Sequence, residues 1–132
     1  MVEVHYVCKL DKTLYSVVTP DIQSDDVVIT EERLAHVEDH HPGDSALLFV
    51  YAEKIITEPD YILEGNLPNT AMILKEFTDG DKRFKLILRL RTSLDASGFK
   101  NSVITFQVVN SKRYGRYTRN GKILYKREPL SV

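Results

Sequence analysis

The segment that decides the fold carries three of the four histidines and reads Val28-Ile29-Thr30-Glu31-Glu32-Arg33-Leu34-Ala35-His36-Val37-Glu38-Asp39-His40-His41-Pro42. Thr30 is a good N-cap residue, because its hydroxyl can accept a hydrogen bond from a free amide of the next turn. The two glutamates that follow it place negative charge at the positive end of the helix dipole. Pro42 cannot continue a helix, so the segment predicts a helix of about three turns that ends near His40 or His41.

The histidines of this helix divide into two groups. At about 100° per residue, His41 lies near the apolar stripe of Leu34 and Val37, whereas His36 and His40 form an adjacent pair at the border of that stripe. Two imidazoles one turn apart can bind zinc, or one of them can transfer protons near neutral pH. The helix geometry favours His40 over His41 as the partner of His36.

A metal-binding interpretation has limited support. The run His36-Val37-Glu38-Asp39-His40 is similar to the His-x-x-Glu-His arrangement of some metallopeptidases, with Asp in place of Glu. A third ligand would be needed, and the chain has no His or Cys after Pro42. A His-ligated metal hydrolase is therefore an alternative, while proton transfer without a cofactor is the preferred interpretation.

The charges are unevenly distributed along the 132 residues. Residues 1–81 hold 5 lysines and arginines against 17 aspartates and glutamates, a net charge of −12, and residues 82–132 hold 13 against 2, a net charge of +11. A basic half indicates an anionic ligand, most commonly a nucleic acid. The alternative is that the acidic and basic parts pair with each other in the fold.

Periodicity predicts the remaining elements. Residues 1–19 suggest a hairpin or two edge strands, and a second helix should run from Gly43-Asp44 to about Ile56. Strands are predicted at Tyr61–Glu64, Thr70–Phe77, Arg83–Thr92, Val103–Val109 and Ile123–Arg127, with residues 110–120 as a basic loop or a short helical turn.

Alternation within two of these strands predicts a core face and a cationic face. On Arg83–Thr92, leucines and Phe84 alternate with Lys85, Arg89 and Arg91. On the next strand we expect inward side chains at Ile104, Phe106 and Val108, and outward side chains at Val103, Thr105 and Gln107. The chain is thus predicted to be an α+β domain, with an N-terminal short β element and two helices packed on one face of a four- to five-stranded antiparallel sheet. The opposite face is predicted to be open to a ligand.

We expect one domain over residues 1–132, with the N-terminal β element and loop at 1–27 and the core at 28–127. The single Cys8 cannot form an intramolecular disulfide, which favours a reducing compartment. No apolar run approaches about 18 residues and the N-terminus has no signal-like core. A cytoplasmic protein without membrane contact is the expectation.

The segment from Val28 to Val37, followed by His41-Pro42, resembles the helix motif of the phage-type nucleases of the Barnase–EndoU–colicin–RelE-like superfamily, in which a His-Ile pair precedes a His-Pro pair. Later segments resemble that family's landmarks in the same order. These are Glu58-Pro59-Asp60-Tyr61-Ile62, the basic strand around Arg89, Ser102-Val103-Ile104-Thr105 and Leu124-Tyr125-Lys126. The resemblance covers about 100 residues, from Val28 to Arg127.

This resemblance implies a metal-independent endoribonuclease of toxin or prophage type, without a cofactor. RNA can be cut through its own 2′-hydroxyl to a 2′,3′-cyclic phosphate, which needs a base, an acid and a cation to stabilise the phosphate. A non-catalytic RNA-binding or interaction domain on the same fold is an alternative. The expected partners are RNA and an acidic inhibitor or antitoxin protein, and the sequence leaves the oligomeric state open.

The resemblance also implies roles by position. His36 would be the general base or acid, with His41 as its helper or orienter. Arg89 would stabilise the phosphate, and Thr105 would donate a hydrogen bond to a phosphate oxygen. Tyr125 would stack a base or assist proton transfer. Further RNA-binding candidates are Lys85, Arg91, Gln107, Arg113, Arg116 and Lys126.

Overall fold

The computed structural model describes residues 3–78 and 81–128. In chain order its elements are β1 (Val4–Lys9), α1 (Lys12–Tyr15), β2 (Asp26–Thr30), α2 (Glu31–His40), α3 (Asp44–Thr57), β3 (Tyr61–Glu64), β4 (Thr70–Phe77), β5 (Lys82–Arg89), β6 (Asn101–Val109), α4 (Ser111–Asn120) and β7 (Ile123–Lys126). No helix in these ranges is long and apolar enough to cross a membrane.

The helix α2 has the boundaries that its sequence signals predict. The Thr30 hydroxyl accepts a hydrogen bond from the Arg33 amide at 3.2 Å, and the amide of the C-cap residue His41 donates to the Val37 carbonyl at 2.8 Å. Gly43 then takes φ = 89°, a left-handed conformation that glycine adopts without steric cost, and α3 begins at the next residue. The caps of the two helices thus leave only residues 41–43 between them.

The sheet has seven strands in the order β1-β2-β6-β5-β4-β3-β7, more than the predicted four to five. All neighbours are antiparallel except β2 and β6, which are parallel. The additional strands come from the N-terminus, where β1 pairs with β2 instead of forming a hairpin within residues 1–19. Asp11 caps the short helix α1 at that point, so the chain cannot remain extended.

One face of the sheet forms the core. Registered neighbours place Tyr125, Ile62, Ile73, Leu86 and Phe106 in one row across β7, β3, β4, β5 and β6. The helix α3 contributes to the same core with its buried side chains, Leu48, Ala52, Ile55 and Ile56. The predicted packing of the first two helices against one sheet face is consistent with this cluster, since partly buried Leu34 and buried Val37 of α2 join it.

The opposite face is cationic, as the alternation predicts, but α4 covers part of it. The row on this face runs from Lys126 through Tyr61, Leu74 and Lys85 to Gln107. The predicted loop or short turn at 110–120 is instead a ten-residue helix, capped by the Asn110 side chain. Its tyrosines pack on this row, so the prediction of a fully open face was wrong.

A bulge changes the predicted alternation in β6. The register shifts between Ile87 and Leu88, so Thr105 lies opposite Ile87 and Val103 lies opposite Leu88. Val103 is therefore buried in the core, where it was expected to face outward. Ile104 lines a cavity together with Arg89, where it was expected to face inward.

Candidate active site

The cationic face contains a cavity of about 500 Å³ next to the end of β5. Side chains from the first two strands, from β5 and β6, and from the segment between those last two strands form its wall. They are Val4, Val28, Thr30, Arg89, Arg91, Asp95, Gly98, Phe99, Lys100, Ser102 and Ile104. A volume in this range suits a small ligand or one unit of a polymer.

Two arginines dominate the chemistry of this cavity. Arg89 is the last residue of β5, Arg91 follows two residues later, and both side chains line the cavity. Arg89 donates from Nη2 to Asp95 Oδ1 at 2.6 Å. The Nε–H groups of both arginines are buried without a hydrogen-bond partner among the described residues. Each therefore retains an unsatisfied donor, which is costly unless a ligand or water accepts it.

Asp95 fixes the segment that carries Phe99 and Lys100. Its second carboxylate oxygen accepts from the Thr92 amide at 2.8 Å. This hydrogen bond, together with the Arg89 guanidinium, holds the pKa of Asp95 below its ordinary value of 3.8. Asp95 is thus held as a carboxylate that orients Arg89 at neutral pH.

Asn101 and Asp21 connect the same segment to the chain before β2. The buried Asn101 side chain accepts from the Arg91 amide at 2.8 Å and donates to the Ser24 carbonyl at 2.6 Å. Asp21 accepts from the Ser93 hydroxyl at 2.6 Å and from the Ser93 amide at 3.1 Å. These contacts fix the backbone beside the cavity.

His36 and His40 lie against each other on the exposed side of α2. Their ring centroids are 4.1 Å apart with an interplanar angle of 31°, and both residues are exposed. His40 Nδ1 lies 3.1 Å from the His36 carbonyl oxygen, a hydrogen bond that requires the proton on Nδ1. In a neutral ring this leaves Nε2 as the proton acceptor. His41 is not part of the pair and caps the helix.

A second cationic group lies under α4. Lys85 Nζ and Arg113 Nε donate to the Tyr117 hydroxyl oxygen at 3.2 and 3.0 Å. Partial burial pushes the pKa of Tyr117 upward, but the hydrogen bonds and charges of these two cations outweigh it and bring the pKa below its ordinary value of 10. The Tyr117 O–H remains available to donate to an anion.

The other predicted residues fall into three places. Thr105 and Gln107 lie on the cationic face, with Gln107 only 3% exposed, and Lys126 ends the row that contains Lys85. Arg116 is exposed on α4. Tyr125 pairs with Ile62 on the core face, so the sheet separates it from Arg89. The structure thus joins His36 with His40 and Lys85 with Arg113, but does not join Tyr125 with any of them.

Four residues beside the predicted set were missed from the sequence: Phe99, Lys100, Ser102 and Tyr117. Phe99 and Lys100 lie between the predicted strands Arg83–Thr92 and Val103–Val109 and received no predicted role, although a bulky aromatic residue next to a cation in a basic half is a usable signal. Tyr117 was missed because residues 110–120 were not predicted as a full helix. Ser102 belonged to a segment that resembles the family, but its neighbouring residues gave no separate indication of a role.

The described ranges contain one group of three metal-ligating side chains with ligand atoms within 4.8 Å of one another, namely Glu3, His5 and Glu31. His5 Nε2 lies 2.5 Å from Glu31 Oε2, between β1 and the start of α2. The pair formed by His36 and His40 does not belong to this group. Within the described part of the chain, the pair lacks the third ligand that a hydrolytic metal centre requires.

Comparison with known proteins assigns the family. Residues 8–126 match the family described as phage-Barnase-EndoU-ColicinE5/D-RelE like nuclease 2, PBECR2. Searches of curated proteins and of solved structures gave no match. The match covers most of the chain, including the histidine pair, the cavity-lining residues other than Val4, and α4. The chain therefore belongs to the phage-type Barnase-EndoU-ColicinE5/D-RelE-like nucleases.

Proposed function

We propose that the protein is a metal-independent endoribonuclease that cuts RNA through the substrate's own 2′-hydroxyl. The observation that carries the proposal is the contact between the exposed rings of His36 and His40, on a helix whose cap residue Thr30 lines the cavity of Arg89. The helix α2 begins at the cavity wall, and the histidine pair lies about two to three turns further along it.

The chemistry requires two proton transfers. A base takes the proton of the 2′-oxygen as that oxygen bonds to phosphorus, and an acid protonates the 5′-oxygen as its bond to phosphorus breaks. The products are a 2′,3′-cyclic phosphate and a free 5′-hydroxyl. His40, with Nε2 as its acceptor atom, suits the base, and the adjacent His36 suits the acid.

Cations supply the remaining stabilisation. The phosphate gains negative charge on its non-bridging oxygens in the transition state, and a fixed guanidinium lowers the energy of that charge. Arg89 suits this role because Asp95 and the sheet hold its position. Thr105, on the same sheet face, suits hydrogen bonding to the phosphate.

The test is to incubate the protein with end-labelled RNA in EDTA and to identify the product ends. We expect 2′,3′-cyclic phosphate ends from the parent, and roughly 10²- to 10⁴-fold slower cleavage for His36→Ala and for His40→Ala. His5→Ala is the matched control, because His5 lies on β1 and contacts Glu31 instead of the pair. Parent-like cleavage by His36→Ala, or complete loss of cleavage in EDTA, would overturn the proposal.

A non-catalytic RNA-binding domain is the second candidate. It is favoured by the α4 cations Lys112, Arg116 and Arg119, which have no ion pair with any carboxylate of the described residues. Such a domain would retain RNA in a salt-dependent manner and generate no cyclic phosphate. Product-end analysis of the parent protein separates the two candidates.

An inhibitor protein is also proposed as a partner. A nuclease with an exposed basic helix would need a partner that covers its cations, and an acidic surface is complementary to α4. The family description, which names phage-type nucleases, supports the prophage part of the proposed toxin or prophage type.

A further inference from the structure

We propose that the cavity of Arg89 and Arg91 is a single-nucleotide subsite, which binds one phosphate through the two arginines and one base against Phe99. The inference rests on the proposed function, because it assigns a substrate-recognition site to the same nuclease. It concerns recognition of one nucleotide and not the proton transfers.

Unsatisfied donors indicate an anionic ligand. Arg89 and Arg91 line the cavity, and the Nε–H of each is buried with no partner among the described residues. A buried donor left in this state costs about 1–3 kcal/mol. Both guanidiniums line the cavity, a phosphate has several acceptor oxygens, and arginine is the side chain whose planar donors fit phosphate best.

The charge of the wall is consistent with that ligand. The lining contains three cations, Arg89, Arg91 and Lys100, and one carboxylate, Asp95. Asp95 is bound to Arg89, and Lys100 donates to Asp26 at 2.8 Å, so Arg91 is the cation of the group that has no carboxylate partner in the described ranges. The cavity thus contains Arg89, which Asp95 holds in position, and Arg91, whose charge is not neutralised by a carboxylate of the described residues.

The apolar part of the wall indicates a base next to the phosphate. Val28 and Ile104 lie on the sheet, and the exposed side chains of Val4 and Phe99 stand at the cavity, 48% and 62% accessible. An exposed phenylalanine beside arginines offers a stacking surface that every base can use. Inorganic phosphate would leave this apolar surface in water, whereas a nucleotide covers it.

Binding can be measured by calorimetry with three probes: a ribonucleoside 3′-monophosphate, inorganic phosphate and the corresponding nucleoside. We expect Arg91→Gln to lower the affinity for the mononucleotide and for inorganic phosphate alike, by about tenfold for one lost charge-assisted contact. Phe99→Ala should lower the affinity for the mononucleotide by about fivefold or more and leave the affinity for inorganic phosphate unchanged. The melting temperature of each variant establishes that it is folded.

Matched controls are available on α3. Lys54→Gln removes one exposed cation and Phe49→Ala removes a phenylalanine that is 51% exposed, and neither residue lines the cavity. Both should bind the mononucleotide as the parent does. Equal affinity of Phe99→Ala and the parent for the mononucleotide would overturn the base contact, and the same result for Arg91→Gln would overturn the subsite.

Failure of this inference can be distinguished from failure of the proposed function. Cyclic-phosphate production by a parent that binds no mononucleotide would retain the nuclease and reject the subsite. Mononucleotide binding that depends on Arg91 and Phe99, in a protein that generates no cyclic phosphate, would retain the subsite and reject the catalytic proposal.

Discussion

At the scale of single residues, Asp26 shows how one side chain secures the cavity wall. Its two carboxylate oxygens accept from Lys9 at 2.7 Å and from Lys100 at 2.8 Å, joining β1 to the segment that precedes β6. The hydrogen bond from Lys100, then that from Lys9, lowers the pKa of Asp26 from 3.8 to about 2. The folded state therefore prefers the ionised carboxylate more than the unfolded chain does.

Asp26→Asn should destabilise the protein at pH 7, and the difference from the parent should decrease on acidification. The pairs contribute fully above the ordinary Asp pKa of 3.8, and their contribution is lost as the pH falls through about 2. Urea unfolding at pH 7, 4 and 2.5 measures the difference. Asp25→Asn is the control, since the Asp25 carboxylate forms an ion pair only with Lys9 among the described residues, at 3.6 Å. A difference that grows at low pH would contradict the assignment.

At the scale of elements, α4 depends on its contacts with the sheet. It contains Gly115 and no buried residue, so neither propensity nor a hydrophobic face holds it in place. Its N-cap is Asn110, and its attachment comes from Tyr117 on Lys85 and from the edge-to-face contact of Tyr114 with Tyr61. One tertiary hydrogen bond and one aromatic contact thus attach the helix to the sheet.

Tyr117→Phe should lower the free energy of unfolding by about 1 kcal/mol and increase amide exchange in α4, because two cations lose one shared acceptor. Chemical denaturation and hydrogen exchange measure the two effects. Tyr114→Phe removes a hydroxyl from the same helix that makes no hydrogen bond within the described chain, so it should leave exchange in α4 unchanged. Equal effects of the two variants would contradict a role for the Tyr117 hydroxyl.

Elements that depend on neighbouring residues in the sequence were predicted well, whereas contacts between residues far apart in the sequence were not. The helix α2 and the strands β3 and β4 were predicted at or near their observed bounds, because caps, Pro42 and alternation are local. The pairing of β1 with β2 and the attachment of α4 were not, because both depend on residues distant in sequence. The contact of His36 with His40 follows from helical spacing, whereas the cavity required the bulge in β6 and could not be predicted.

At the scale of the whole molecule, the two charge halves pair only in part. Among the described residues five ion pairs join them: Lys100 with Asp26, Lys122 with Glu64, Arg83 with Glu76, Arg83 with Asp81 and Arg127 with Asp60. The alternative raised from the sequence, mutual neutralisation, therefore accounts for some cations and not for those of α4. The remaining field would attract a polyanion.

Substitution of Lys112, Arg116 and Arg119 by Gln should reduce the salt dependence of RNA binding. On the His36→Ala background, which keeps the RNA intact, the slope of log K against log salt should decrease in magnitude by about 2 for single-stranded RNA. Filter binding at several salt concentrations measures the slope. The double variant Lys12→Gln/Lys54→Gln controls for charge, and an identical slope in the triple variant would exclude α4 from the interface.

The strand β5 lies inside the sheet, and this position determines how firmly its cations are held. This strand is paired on both sides, with β4 and β6, and carries Lys85 and Arg89 on one face. Central strands are usually among the last parts of a fold to open. The two cations are therefore preorganised, and a phosphate would bind without a reorganisation cost at that strand. The imidazoles and the α4 cations stand on peripheral helices, so adaptation to different RNA shapes would fall to them.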